Sequence, residues 1–174
     1  QSLLASLIES NGHIKALNWA ESVRNNMARK PRGNDRDQAR AVASGVADVA
    51  IINTYYLGLL TNSSDNADRE VARKLNVFFP NQQGRGTHIN ISGGAVTTSS
   101  KNKKDAVRFL EFLTEKENQK IFSENNYEYP LDYQNTDNEL LVSWGKFKAD
   151  NMDLSILGRN NAEAVRLFDL AGWK

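Results

Sequence analysis

The chain has 174 residues, 40% of them hydrophobic and 25% charged, an ordinary globular composition with enough apolar mass for one sizeable core or two small ones. A formal net charge of +1 excludes a field strong enough to argue for nucleic acid or an anionic membrane as partner, so function has to be read from a local site. The absence of cysteine removes disulfides, thiolate metal sites and cysteine nucleophiles together, and leaves cytoplasm and periplasm both open.

Leu3, Leu4, Leu7 and Ile8 recur at helical spacing and Asn11-Gly12 stops the pattern, which predicts a first amphipathic helix. A chain that enters such a pattern at once, without an initiator methionine or the basic-then-apolar start of a signal peptide, is expected to be a fragment or a processed chain. Ile14, Leu17, Ala20, Val23 and Met27 step by three and four, with Trp19 beside the stripe, and predict a second helix over 13–28. The string Arg29-Lys30-Pro31-Arg32-Gly33-Asn34-Asp35 is turn chemistry. Its cations, with Arg36, have no interleaved aromatics and read as a solvated loop rather than a phosphate-binding surface. Asn34 or Asp35 caps a helix near 35–44 that Gly45 ends.

Asp48-Val49-Ala50-Ile51-Ile52 is a short continuous apolar strand of the kind covered on both faces in parallel sheets, and helix followed by strand argues for an α/β fold. Asn53 or Thr54 then caps a helix carrying Tyr55, Tyr56, Leu57, Leu59 and Leu60. A helix near 65–75 leads to a strand at Val77-Phe78-Phe79 closed by Pro80, a loop over 81–86, and the alternating strand Thr87-His88-Ile89-Asn90-Ile91-Ser92. Gly93-Gly94 permits close backbone approach or a hinge. Amphipathic helices near 102–113 and 115–124 follow, the second opened by the capping-box string Thr114-Glu115-Lys116-Glu117. Tyr127-Glu128-Tyr129-Pro130 reads as an extended connector. The tail carries helices near 138–147 and 161–171, the latter stopped by Gly172. No apolar run approaches the roughly 18 residues of a membrane helix.

Catalytic signals are sparse. His13 and His88 lie on unrelated elements, no serine sits in a nucleophile elbow, and HExxH, GxGxxG and GxxxxGKS strings are absent, so the chain reads as a non-enzyme with a structural His88. The tyrosine pair is different. In parallel α/β folds ligands gather beyond the carboxyl ends of strands, where helix N-termini also point, and Tyr55 and Tyr56 fall there. Consecutive helical side chains lie about 100° apart, so the pair cannot share one line into a core. Two readings stay open: one ring packs while the other covers the surface, or both reach an object in a cleft beside the helix end. The second has a chemical requirement. A phenol titrates near pH 10, so two phenolates at neutral pH need a strong Lewis acid beside them. Anionic oxygen donors without sulfur suit Fe3+ better than Zn2+ or Cu+.

The strings "GNDRDQARAVASGVADVAIINTYYLG", "VFFPNQ", "GTHINISGGAVT", "KNKKDAVRFLEFLTEKENQKIFSENNYEYP" and "NNAEAVRLFDLAGW" together resemble the ferric-ion-binding proteins that serve iron ABC importers in the bacterial periplasm. The likeness runs through essentially all 174 residues. It implies a two-lobed class II periplasmic binding protein, α/β with a mixed, mainly parallel sheet flanked by helices, and Fe3+ held in the inter-lobe cleft by tyrosine phenolates. On that pattern Tyr55 and Tyr56 are iron ligands. A further ligand tyrosine would lie upstream of residue 1, because Gln1-Ser2 end the family's Tyr-Asn-Gln-Ser string. Residues 1–86 and 137–174 would belong to the second lobe, and 87–136 would cross the hinge to complete the first. The implied partners are an ABC permease in the inner membrane and the absent N-terminal lobe, with a monomer expected for the intact protein. Leu59 and Leu60 stand where some relatives carry a basic residue. The competing reading keeps the lobe but gives the cleft to a small organic solute or an oxyanion, with the tyrosines stacking or hydrogen-bonding.

Overall fold

The computed structural model describes residues 1–30 and 32–173, so Pro31 of the basic turn and Lys174 lie outside the described residues. In chain order the helices are α1 (Ser2–Asn11), α2 (His13–Asn25), α3 (Asp35–Ala43), α4 (Thr54–Thr61), α5 (Asn66–Ala72), α6 (Lys103–Thr114), α7 (Lys116–Asn125), α8 (Glu139–Ser143), α9 (Ser155–Arg159) and α10 (Asn161–Leu170). They pack into two units. The first comprises Gln1–Arg32, Phe79–Asn90 and Lys148–Lys174, and the second comprises Gly33–Phe78 and Ile91–Phe147.

The first unit is built on the predicted α1 stripe. Leu4, Leu7 and Ile8 pack with Ala16 and Ala20 of α2 and with Ala164 and Leu167 of α10, and the alanines let the helices approach closely. One residue, Gly12, separates α1 from α2, and its φ of 81° is a left-handed value that glycine takes without steric cost. Carbonyls at this interface find side-chain donors: the Trp173 indole donates to the Ala20 carbonyl at 2.9 Å and the Asn160 amide to that of Ala5 at 3.3 Å. Thr87 meets Ala149 in an isolated parallel bridge, its N–H donating to the Lys148 carbonyl and its carbonyl accepting from Asp150, both at 2.8 Å.

The second unit closes around α3, α4 and α5. Leu57 and Leu60 of α4 pack with Ala39 of α3 and Ala72 of α5. Arg40 reinforces this, donating to Asp37 at 3.0 Å and to Asp68 at 2.7 Å, so α3 and α5 are tied by one guanidinium. The expected cap at Asn34 is present as a capping box with Asp37.

Three expectations are corrected. No strand ladder forms among the described residues at 48–52, 77–79 or 87–92, where the sequence predicts a mixed, mainly parallel sheet; the Thr87–Ala149 bridge is the pairing described. A strand exists only against a partner backbone; here Ile52 and Val77 pack on the second core as single side chains, while Val49 is 81% exposed, Phe78 85% and Ile91 57%. The capping box expected at 114–117 does not form either. Thr114 turns its hydroxyl back to the Glu111 carbonyl at 2.7 Å, ending α6, and α7 starts after Glu115 with no side-chain cap. Finally, the helix expected over 138–147 is the five-residue α8, capped by Asn138, and α9 is additional, its first N–H held by the Asp153 carboxylate at 2.9 Å.

Leu60 is fully buried and Ile14 is 78% exposed. In chemical denaturation, Leu60→Ala is expected to cost about 2–5 kcal/mol, and Ile14→Ala less than about 0.5 kcal/mol.

Candidate metal centre

The tyrosine pair is positioned by the turn that precedes it. Asn53 is extended (φ −75°, ψ 138°) and α4 begins at the next residue, so Tyr55 and Tyr56 occupy the first helical turn as the sequence predicts. The Asn53 N–H donates to the Asp35 carboxylate at 3.2 Å, which ties the start of α4 to the start of α3. Further along α4, Leu57 and Leu60 are buried and fix the rotation of the helix about its axis.

With that rotation set, both phenols are half-buried, and their ring centroids lie 4.3 Å apart at an interplanar angle of 36°. Adjacent helical residues diverge by about 100°, so this approach requires both side chains to lean into the same space. The Tyr55 phenol is pushed up to about 12, first by the neighbouring Tyr56 hydroxyl, then by burial and by the negative charges of an ionised Tyr56 and of Asp35; the Asn53 side chain opposes them. Tyr55 therefore holds its proton firmly when no cation is present. Leu59 and Leu60 add no charge, and α4 has no acidic residue in its first turn and no basic residue in its last. Among the described residues no three His, Cys, Asp or Glu side chains gather into a metal-holding cluster.

The two histidines stand in separate settings. His13 pairs with Glu163 at 2.8 Å, and Arg166 and then His13 hold the Glu163 carboxyl down at about 2. His88 lies 3.1 Å from the Ser2 hydroxyl through Nε2; burial pushes its imidazole below the ordinary range, Asp150 opposes this and Arg85 adds to it. Sequence reasoning named Asn34, Asp35 and Asn53 only as helix caps. Asp35 also faces the tyrosine turn, a role that the turn strings before α3 and α4 do not reveal because the two are 18 residues apart.

Residues 5–128 match the profile of the bacterial extracellular solute-binding proteins, and the chain belongs to that family. It is 45% identical over 174 residues to Iron uptake protein A1 of Synechocystis sp., covering 100% of this chain and 48% of the relative. It is 29% identical over 171 residues to the Major ferric iron-binding protein of Neisseria meningitidis, covering 98% of this chain and 50% of the relative. Among solved structures it is similar to the ferric binding protein from Campylobacter jejuni, with TM-score 0.93 and 46% identity over 99% of this chain and 55% of that one. The Trichodesmium protein IdiA (FutA) in complex with iron and citrate gives TM-score 0.94 and 48% identity over the same shares. The chain spans about half the length of the relatives it matches.

The raised Tyr55 value has a measurable sign. The folded state keeps a proton that the unfolded state releases near pH 10, so this contribution to stability is complete below pH 10 and is lost as pH rises through about 12. Ultraviolet titration of the metal-free protein is expected to show two phenols ionising at about 12, Tyr55 and the burial-raised Tyr129, and Tyr56→Phe is expected to return only the first towards 10.

Proposed function

We propose that the chain is the tyrosine-bearing part of a periplasmic ferric-ion-binding protein, which takes Fe3+ as cargo through the phenolates of Tyr55 and Tyr56 and delivers it to an ABC permease in the inner membrane. The observation that carries this reading is the convergence of two phenols, 4.3 Å apart, at the start of α4. The neighbouring Tyr56 hydroxyl, burial and Asp35 resist deprotonation of Tyr55. A small, highly charged cation reverses that balance, because it stabilises both anions at once and suits hard oxygen donors. Resemblance to proteins named for ferric iron binding supports the same cargo. Nothing in this role asks for bond-breaking chemistry, and the protein works by capture and release.

Two phenolates do not complete a coordination shell. The other ligands come, on this reading, from a lobe that the 174 residues do not contain. Residues 1–86 and 137–174 then belong to one lobe and 87–136 completes the other, a partition of the longer protein that differs from the packing units of this chain. Exposed apolar surface on the 87–136 segment supports it: α6 buries no residue fully, and Phe109, Phe112 and Ile121 are 58%, 49% and 58% exposed. Such a surface is unfavourable in water and is accounted for by a covering lobe. Closure of the lobes around the metal gathers ligands from both sides, so the ion favours the closed form, and the intact protein works as a monomer.

Fe3+ added to the two-lobed protein is expected to produce a visible phenolate-to-iron charge-transfer band. Tyr55→Phe with Tyr56→Phe removes the band and lowers affinity by more than about 100-fold, beyond the range usual for outer-shell changes. Affinity rises with pH because each phenol releases a proton on binding, and reduction to Fe2+ weakens the complex. The 174 residues alone bind iron far more weakly. A band indifferent to both substitutions, or thermal stabilisation by sugars, amino acids or phosphate but not by iron, transfers the site to an organic solute or oxyanion.

A further inference from the structure

Two locally unfavourable choices in the second unit meet at one contact. Tyr127 has φ of +58°, a left-handed backbone that bulky side chains rarely adopt; among the described residues the other non-glycine with positive φ is Asn81, a type that tolerates it. Tyr127 directly follows Asn126, the C-cap of α7, and this is the position at which helices commonly end in glycine. The second choice is Gly58, a glycine in the interior of α4, where alanine would stabilise the helix. Each explains the other. A Cβ at position 58 would overlap Tyr127, lying 2.5 Å from its Cγ and 2.9 Å from its Cδ2, so the tyrosine ring occupies the notch left by the missing side chain.

That notch belongs to the tyrosine turn. Position 58 lies on the same helical face as Thr54 and Tyr55, four and three residues earlier, so the seat shares a face with the first turn of α4. The far side of the contact is anchored as well. Glu128 accepts a hydrogen bond from Ser92 at 3.1 Å, the Tyr129 hydroxyl donates to the Leu141 carbonyl at 3.3 Å, and the Tyr129 ring meets Phe147 edge-on with centroids 5.1 Å apart. The strained residue thus projects from a fixed segment onto the helix that aims the phenols.

We propose that Tyr127 is a positioning residue for the metal site: its ring, seated on Gly58, holds the first turn of α4 so that Tyr55 and Tyr56 converge. This rests on the ferric reading of the pair. On the proposed lobe boundaries Gly58 and Tyr127 lie in different lobes, so the seat joins the tyrosine turn to the segment that crosses between them.

The test uses the two-lobed protein loaded with Fe3+ and reads the charge-transfer band and the ferric affinity. Tyr127→Phe keeps the ring and is expected to retain band position and affinity within about twofold. Tyr127→Gly relieves the backbone strain but removes the ring, and is expected to shift the band and to weaken affinity by about 10–100-fold, the range typical of outer-shell partners. Gly58→Ala fills the notch from the other side and is expected to give the same shift and loss. The two substitutions combined should cost less than the sum of each alone, since both remove one contact. A parent protein with a normal band that Tyr127→Gly and Gly58→Ala leave unmoved, at parental affinity, overturns the positioning role alone, even if melting temperatures fall. A parent protein with no band overturns the iron reading and the positioning role with it.

Discussion

Two phenols on consecutive helical residues leave the axis about 100° apart, and in this chain their rings are nonetheless brought to 4.3 Å. That approach demands a helix that neither rolls nor frays at its first turn, and much of the second unit meets the demand. Leu57 and Leu60 lock α4 between α3 and α5, and Asp35 holds the backbone of Asn53 at the helix entrance. The same approach sets the electrostatics. Tyr55 lies beside Tyr56 and the Asp35 carboxylate, and these neighbours together with burial oppose the loss of its proton. Tyr55 resists becoming an anion without a cation beside it. A weakly charged ligand gains little from it, whereas a trivalent cation offsets both charges together.

The fold around the pair has two cores and a large amount of uncovered apolar surface. The α1, α2 and α10 core is tight because alanines line its helix contacts, and the α3, α4 and α5 core is small but cross-tied by Arg40. Outside these cores α6 presents phenylalanines to solvent, and Val49, Ile51 and Phe78 project from segments without ladder partners. Isolated apolar side chains on a surface are ordinary, but a helix face together with Val49, Ile51 and Phe78 forms apolar surface that invites association. On the proposed reading these are internal surfaces of a longer two-lobed protein. The family match, with a chain spanning about half the length of its relatives, agrees with that reading.

Features that depend on neighbours in sequence were legible, and features that depend on distant neighbours were not. Gly12, Asn34 and Asn53 announced helix boundaries because turn signals are local, and the last of these placed the tyrosine pair on the first turn of α4, although its side chain makes no cap bond there. The strands at 48–52, 77–79 and 87–92 failed because an apolar run states that a segment wants covering, not what covers it. The Thr114 string failed for a subtler reason: the hydroxyl donates to a carbonyl of the outgoing helix instead of accepting a backbone N–H of the incoming one. Tyr127 was least legible of all. Asn126 beside it is the better residue for a left-handed position, and the tyrosine takes that role because of a glycine 69 positions earlier.

The central claim is that Tyr55 and Tyr56 together ligate the transported metal, and diffraction across the iron absorption edge tests it most directly. In crystals of the ferric-loaded two-lobed protein, the account predicts a single anomalous peak within bonding distance of both phenolate oxygens, with the remaining donors supplied by residues outside this chain. A peak bonded elsewhere, with both phenols protonated and packed against each other, would contradict it.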